Sequence, residues 1–112
     1  MEAAIQTHTK TLHPTVIIAE KDVMLRATLA ALLSCDGYRV FQEANENAAL
    51  SCINSTNNLA VLLVDLDMPG WKSLVWHALN TTPDAFVIGI SDSIPENADL
   101  EQFNIQVCLR KP

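Results

Sequence analysis

The sequence has no long hydrophobic run, few basic residues and few cysteines, and each shortage excludes a class of protein. No apolar stretch approaches the roughly 18 residues of a membrane-spanning helix. Residues 1–13 also lack the continuous apolar region of a signal peptide. The 7 Lys and Arg residues against 13 Asp and Glu give a net charge of −6, whereas nucleic-acid binding needs clustered basic side chains. We therefore expect a cytoplasmic domain that binds neither membranes nor nucleic acid.

The cysteines and histidines are too few and too scattered to form a disulfide framework or a zinc site. The cysteines are odd in number and no two of them show CxxC spacing. These residues are Cys35, Cys52, Cys108, His8, His13 and His77. The sequence therefore predicts reduced thiols, as in a cytosol.

The chain does have enough apolar residues for one compact domain, 49% of 112. We expect this domain at residues 14–112, after a flexible polar extension at 1–13. Five apolar, β-rich runs alternate with segments of helical character, which indicates an α/β fold with a parallel sheet. The predicted strands are 15–19, 38–42, 60–64, 85–90 and 106–109.

The segments between the strands carry helix signals. Four leucines at helical spacing predict a first helix that ends at an Asp-Gly pair, and we expect Asp22 to cap its start. Asn45 suits the N-cap of a second helix. Shorter helices are predicted at 73–79 and 95–103. The leucines expected on the buried face of the first helix are Leu25, Leu29, Leu32 and Leu33.

Polar side chains follow four of the predicted strands. Glu20 and Asp65 come directly after two buried strands, Ser91 follows the fourth and Lys111 the fifth. Because the carboxyl ends of parallel strands share one edge of a sheet, where open α/β folds build their sites, these groups should lie close together. The sequence therefore predicts a polar site centred on Asp65.

These residues stand in segments that resemble the receiver domain of two-component response regulators. The specific matches are Asp-Leu-Asp-Met-Pro-Gly at 65–70 and Leu-Arg-Lys-Pro at 109–112, within a similarity that covers 15–112. The resemblance implies a flavodoxin-like (βα)5 fold with a central parallel sheet of five strands. Receivers continue into a fifth helix, so we expect residues 14–112 to be a receiver truncated before its final helix.

The resemblance also implies roles for the polar residues. In receivers the aspartate at the position of Asp65 accepts a phosphoryl group from a histidine kinase or a phosphotransfer protein. Ser91 would hydrogen-bond one phosphoryl oxygen and Lys111 would pair with another. Mg²⁺ would lie between Glu20, Asp65 and the backbone carbonyl of Asp67.

Lys21 departs from the family pattern, because receivers usually carry a second acid there as a direct metal ligand. Lys21 and Lys111 would offset Glu20 and Asp65, and Lys21 is expected to pair with Asp65. Two charges about 4 Å apart interact by about 4 kcal/mol at an effective dielectric near 20. We therefore predict weak Mg²⁺ binding.

Two further departures concern the signal itself. Asp92 stands where a small residue usually leaves room for the phosphoryl group. Cys108 replaces the aromatic residue whose ring usually turns inward in the active state, so the usual switch is not expected.

Three functions remain open on these residues. The favoured one is a degenerate receiver, or pseudo-receiver, that signals through protein contacts independently of phosphorylation. The alternative is a live receiver phosphorylated on Asp65. A distant alternative is a haloacid-dehalogenase-like phosphotransferase with Asp65 as nucleophile and Asp67 as general acid, although that family needs further acids after the lysine. We expect no enzyme activity.

The partner surface that receivers generally use corresponds to residues 95–109, the fourth helix and the fifth strand. Its acidic side chains favour a basic partner or a basic patch on the chain's own output domain, although a merely solvated acidic helix has equal weight. The acids are Glu96, Asp99 and Glu101, with Ala98, Leu100 and Ile105 as the expected apolar centre.

Overall fold

The computed structural model describes residues 13–93 and 95–112, so the predicted extension lies outside the described residues except for His13. The described chain alternates between strands and helices. The elements are β1 Thr15–Ala19, α1 Val23–Cys35, β2 Arg39–Glu43, α2 Glu46–Asn54, β3 Leu59–Asp65, α3 Trp71–Thr81, β4 Phe86–Ser91, α4 Asn97–Gln102 and β5 Ile105–Arg110.

The five strands form one parallel sheet in the order β2-β1-β3-β4-β5. This confirms the predicted flavodoxin-like α/β fold. The strand order reverses direction between β1 and β3, which creates a crevice at the carboxyl ends of these two strands. Glu20 directly follows β1 and Asp65 ends β3, so both acids lie at this point.

The sheet is buried on both sides by different helices. On one side, Ile17, Leu62 and Val64 pack in a cluster with residues of α2 and α3. On the other side, Val16 and Ile18 pack with Ala30 of α1. Successive residues of β1 and β3 are therefore both buried, which explains why these strands read as continuous apolar runs.

Side-chain caps start the first two helices as predicted. Asp22 Oδ1 accepts hydrogen bonds from the backbone N–H groups of Met24 and Leu25, at 2.9 and 3.1 Å. Asn45 Oδ1 accepts one from Ala48 N–H at 2.9 Å. These bonds satisfy donors that have no partner within the helix.

The prediction for the buried face of α1 was wrong at Leu32, whose side chain is 62% exposed. Leu25, Leu29 and Leu33 do pack against the sheet, and Ala30 is the buried residue of this helix. A small residue at position 30 lets α1 approach β1, and this orientation turns Leu32 outward.

One part of the sheet lies beyond the reach of α1. This helix packs against β1 and β2, whereas β4 and β5 lie on the far side of β3. Phe86, Val107 and Leu109 are 38%, 38% and 49% exposed there.

None of the helices in the described residues is long and apolar enough to cross a membrane.

Candidate functional site

The four strand-end residues predicted to form a site do come together. Glu20 and Asp65 are fully buried and Ser91 nearly so. Backbone hydrogen bonds continue beyond the strands and fix these ends, since Leu66 N–H donates to Ile90 O and Lys111 N–H donates to Ser91 O, at 2.7 and 2.8 Å.

Lys111 is the centre of the cluster. Its Nζ lies 3.0 Å from Asp65 Oδ1, 3.3 Å from Asp67 Oδ2 and 3.6 Å from Glu20 Oε2. Burial by itself lowers the pKa of Lys111, but the hydrogen bond and charge of Asp65, with the charge of Glu20 and the bond to Asp67, raise it well above the usual lysine value. Lys111 is therefore a fixed cation.

The position of Glu20 in the site raises the pKa of its carboxyl. Burial, the largest cause, and the neighbouring charge of Asp65 raise the pKa of this carboxyl, against the opposing effect of the Asp22 N–H that donates to Oε2 at 3.0 Å. Arg26 Nη1 donates to the backbone carbonyl of Glu20 at 2.8 Å and holds the loop after β1. Glu20 Oε1 has no hydrogen-bond partner.

Asp65 has two differently used oxygens. Oδ1 accepts hydrogen bonds from Asp67 N–H at 2.9 Å and from Lys111 Nζ at 3.0 Å. Oδ2 is buried without a partner. Oδ1 is thus held in place by the turn that follows β3, while Oδ2 accepts no hydrogen bond from the described residues.

The carboxylate of Asp67 contacts the groups that the resemblance assigned to a phosphoryl group. Oδ1 accepts a hydrogen bond from Ser91 Oγ at 2.9 Å, and Oδ2 accepts one from Asp92 N–H at 2.8 Å besides its contact with Lys111. Burial alone would raise the pKa of Asp67, but these three partners lower it below its usual value. Asp67 is therefore an ionised acceptor.

This use of the Asp67 carboxylate was not predicted from the sequence, which indicated a backbone carbonyl toward Mg²⁺ and, in the phosphotransferase alternative, a general acid. The spacing of two residues from Asp65 placed Asp67 near the site, but the side-chain direction depends on donors 24 and 25 residues further along the chain. No local pattern in the sequence carries that information.

The residues for a divalent cation are present in part. Two buried carboxylate oxygens without partners, Glu20 Oε1 and Asp65 Oδ2, are the kind of hard ligand that Mg²⁺ takes. Within residues 13–93 and 95–112, however, no group of three or more His, Cys, Asp or Glu side chains is arranged to hold a metal. The donor set thus fits a cation held by two side chains and completed by backbone oxygen and water.

Lys21 does not pair with Asp65, contrary to the prediction. Its side chain is exposed and has no ion-pair partner among the described residues. It lines a cleft of about 440 Å³ together with Asp92 and Lys111. Lys111, which arrives from β5, takes the contact to Asp65 instead.

Cys108 packs, half-buried, against the core cluster on the α2–α3 side of the sheet. Burial, with a smaller effect of the Asp67 charge, raises the pKa of this thiol. Cys108 is therefore a small apolar filler at its position on β5.

The expected apolar centre of the partner surface is exposed only in part. Ala98 is exposed, whereas Ile105 is buried and Leu100 packs against the core. Asp99 forms an exposed ion pair with Lys72 at 3.5 Å. The large apolar side chains exposed within residues 95–109 are those of Val107 and Leu109.

Solved structures share this architecture, although no protein-family model and no curated protein sequence matches the chain. A response regulator receiver domain protein (CheY-like) from Methanospirillum hungatei JF-1 is 17% identical with a TM-score of 0.81, over 89% of this chain and 82% of that one. The response regulator TrrA from Thermotoga maritima, solved with Mg²⁺ and BeF, is 20% identical with a TM-score of 0.74, over 88% and 87%. CheY6 from R. sphaeroides, in complex with the P1 domain of CheA3, is 24% identical with a TM-score of 0.73, over 88% and 82%.

At these identities the likeness concerns the fold. The chain has the flavodoxin-like fold of response regulator receiver domains.

Proposed function

We propose that this chain is a non-enzymatic receiver domain of a two-component pathway that signals through protein contacts and independently of phosphorylation. Asp65 occupies the phosphoacceptor position, with Ser91 and Lys111 beside it. The observation that carries the proposal is the environment of Asp65. It is fully buried, and its Oδ1 is already held by Lys111 and by the Asp67 backbone.

Weak Mg²⁺ binding is part of the proposal. Glu20 and Asp65, with the backbone carbonyl of Asp67, would hold the ion, which in phosphoryl transfer neutralises charge on the phosphoryl oxygens. Lys21 supplies no carboxylate at the mouth of the site, and the ammonium of Lys111 competes for the oxygens of Asp65 and Glu20. Both features lower the affinity for a divalent cation.

A live receiver is the second candidate, and the partner-free Oδ2 of Asp65 favours it. In that case a histidine kinase or phosphotransfer protein would be the partner, as the CheA3 P1 domain is for CheY6. Oδ2 would attack phosphorus and the bond from phosphorus to the donor nitrogen would break. Ser91 and Lys111 would stabilise the negative charge of the phosphoryl oxygens on Asp65.

Phosphorylation by acetyl phosphate in millimolar Mg²⁺, followed by intact-protein mass spectrometry, tests the proposal. We expect no gain of a phosphoryl group by the wild-type chain. We expect a gain by Lys21→Asp, which restores an acid at the metal position, and none by Lys21→Asp combined with Asp65→Asn. Rapid gain of one phosphoryl group by the wild type, lost in Asp65→Asn, would establish the live receiver instead.

Hydrolysis of a small aryl phosphate separates the phosphotransferase alternative. Enzymes of that kind use a second acid as proton donor, and here the Asp67 carboxylate is bound to Ser91, Asp92 and Lys111. We expect no turnover above the buffer rate. Turnover that disappears in Asp65→Asn would overturn the assignment as a non-enzyme.

The proposed partner surface is the acidic side of α4, including Glu96 and Glu101, with a basic partner or a basic patch of an output domain as its counterpart. Reversing the charges of Glu96, Asp99 and Glu101 in the full-length protein should weaken partner binding in pull-down and titration. Unchanged binding and unchanged dimerisation would exclude this surface.

A further inference from the structure

Three hydrogen-bond donors from separate parts of the chain converge on one side chain. The hydroxyl of Ser91, the N–H of Asp92 and the ammonium of Lys111 lie 2.9, 2.8 and 3.3 Å from the carboxylate oxygens of Asp67. A hydroxyl, a backbone amide and a cation aimed at one point form an anion-binding cradle, and donors paired with an ionised acceptor make the stronger class of hydrogen bond.

Asp67 does not behave as an ordinary turn residue. Aspartates in turns typically bond to backbone groups close by in sequence. In this turn Asp65 Oδ1 performs that task, since it accepts the N–H of Asp67 at 2.9 Å. The Asp67 carboxylate instead spans to the end of β4 and to the residue after β5. Its contacts are those of a bound anion.

We propose that the carboxylate of Asp67 is a resident substitute for a phosphoryl group, which occupies the cradle of Ser91, Asp92 and Lys111 and holds it in the anion-bound arrangement. The inference rests on the proposed function and deepens it. A phosphoryl group on Asp65 would need Ser91 and Lys111, so the resident carboxylate competes with it for both.

The resident carboxylate also contacts the chain after β4. Ser91 Oγ shares its one proton between Asp67 Oδ1 and the backbone carbonyl of Ser93, and it accepts a hydrogen bond from Ser93 N–H at 3.2 Å. Asp92 N–H is held by the other oxygen of Asp67. Ser91 and Asp92 are thus both held by Asp67, and Ser93 is held through Ser91. In the proposed arrangement the domain presents one state to its partners without a phosphoryl donor.

Nuclear magnetic resonance of the Asp92 amide in the isotope-labelled chain tests the proposal. A carboxylate acceptor moves an amide proton downfield, so Asp67→Ala should shift this signal upfield. Inorganic phosphate added to Asp67→Ala should reverse the shift, with at least tenfold tighter binding than to the wild type. Asp84→Ala removes an exposed acid outside the site and should behave as the wild type. An Asp92 signal that is the same in Asp67→Ala and in the wild type would overturn the proposal, and so would equal phosphate binding by the two.

A second variant keeps the test decisive if Asp67→Ala does not fold. Asp67→Asn retains the size of the side chain and one acceptor oxygen but loses the charge. The Asp92 amide should still move upfield, because a neutral carbonyl is a weaker acceptor than a carboxylate. An unmoved signal would contradict the proposal, and binding of phosphate only at concentrations where Asp84→Ala binds it equally would show an adventitious ion only and contradict it too.

The test of the resident carboxylate and the test of the proposed function can fail independently of each other. Phosphorylation of the wild type would refute the degenerate receiver, whatever the Asp92 signal shows. An unchanged Asp92 signal in an unphosphorylated chain would refute the resident carboxylate alone.

Discussion

At the residue scale, Lys111 is the cation on which three carboxylates depend. Replacing it by methionine keeps much of the apolar stem but leaves Glu20 and Asp65 buried without a counter-charge. Removing one partner of a buried ion pair typically costs about 3–5 kcal/mol. We expect Lys111→Met to lose that much free energy of unfolding in urea titrations at pH 7.

Lys72→Met is the matched control, because Lys72 pairs with Asp99 at the surface, where the side chains are 52% and 39% exposed. Exposed pairs are worth about 1 kcal/mol or less. Equal losses in Lys111→Met and Lys72→Met would contradict the assignment of Lys111 as the organising cation.

Glu20, unlike Lys111, lowers the stability of the fold at pH 7. Its folded-state pKa is raised by burial, so the folded state binds a proton that the unfolded state has released. Stability from this group is complete below its ordinary pKa of 4.5 and is lost as pH rises through the folded value. Glu20→Gln should remove this loss and let the amide donate to the partner-free Oδ2 of Asp65.

We therefore expect Glu20→Gln to raise the free energy of unfolding by about 1–3 kcal/mol at pH 7, the usual cost of a buried polar atom without a partner. The gain should shrink as pH falls below 4.5, where the wild-type carboxyl is protonated in both states. Thermal unfolding at several pH values measures this. A gain that is independent of pH would show that protonation of Glu20 is not its cause.

At the element scale, Gly89 lets β4 accept the turn that follows β3. A Cβ built at Gly89 would lie 2.6 Å from Leu66 Cδ1, and Leu66 is buried in the core. Gly89→Ala should lower the free energy of unfolding by about 1–3 kcal/mol through overpacking. The residue that it displaces, Leu66, directly follows Asp65. Gly37→Ala serves as a contrast, since nothing lies near its Cβ and only the positive φ of 92° opposes the change.

Unfolding in urea measures the cost, and the Asp92 amide reports the position of the site. The double variant Gly89→Ala with Leu66→Ala should recover part of the loss, because the clashing methyl group is then absent. If the double variant recovers no stability, the strain in Gly89→Ala does not come from the contact with Leu66.

The elements themselves were predictable because their signals are local. Apolar runs predicted the first, third and fourth strands and an alternating pattern predicted the second, while Asp22 and Asn45 cap their helices as expected. The second strand begins one residue later than predicted, since Tyr38 N–H bonds back to Leu33 O at 3.2 Å and still belongs to the end of α1. α3 is longer than predicted because Gly70, with φ 83°, turns the chain straight into a helix at Trp71.

The residues of the candidate site were predictable from the sequence, but the contacts between their side chains were not. Parallel strands must bring their carboxyl ends together, so Glu20, Asp65, Ser91 and Lys111 followed from the strand pattern. Which cation pairs with Asp65 depends on side-chain directions set by the packed fold. That is why the sequence favoured Lys21 over Lys111 as the partner of Asp65 and did not predict the bonds of the Asp67 carboxylate to Ser91 and Asp92.

At the scale of the whole molecule, the part of the sheet beyond α1 exposes apolar side chains of two neighbouring strands. Phe86, Val107 and Leu109 lie on one face of β4 and β5, given the pairing of Ile88 with Val107 and of Ile90 with Leu109. Exposed apolar patches of this kind favour association. Val107→Thr with Leu109→Thr should lower binding of an apolar dye several-fold and change stability by less than about 1 kcal/mol, since threonine suits strands.

Dye fluorescence and analytical ultracentrifugation provide the measurements. Gln106→Thr, an exposed position on the same strand that carries no apolar surface, is the control and should leave dye binding unchanged. Equal dye binding by the double variant and the wild type would show that this face is not the apolar surface in solution.

The strand order also dictates when the polar cluster can assemble during folding. No two neighbouring strands are joined by a hairpin, and Val16 of β1 must find Val40 and then Val61 far along the chain. Such non-local pairing folds slowly. Lys111 follows β5, the last strand, so the buried acids meet without their cation until that edge strand docks on β4. Docking of β5 is therefore the step at which the acids gain their counter-charge, and any fraying of this edge strand loosens the site before the sheet itself opens.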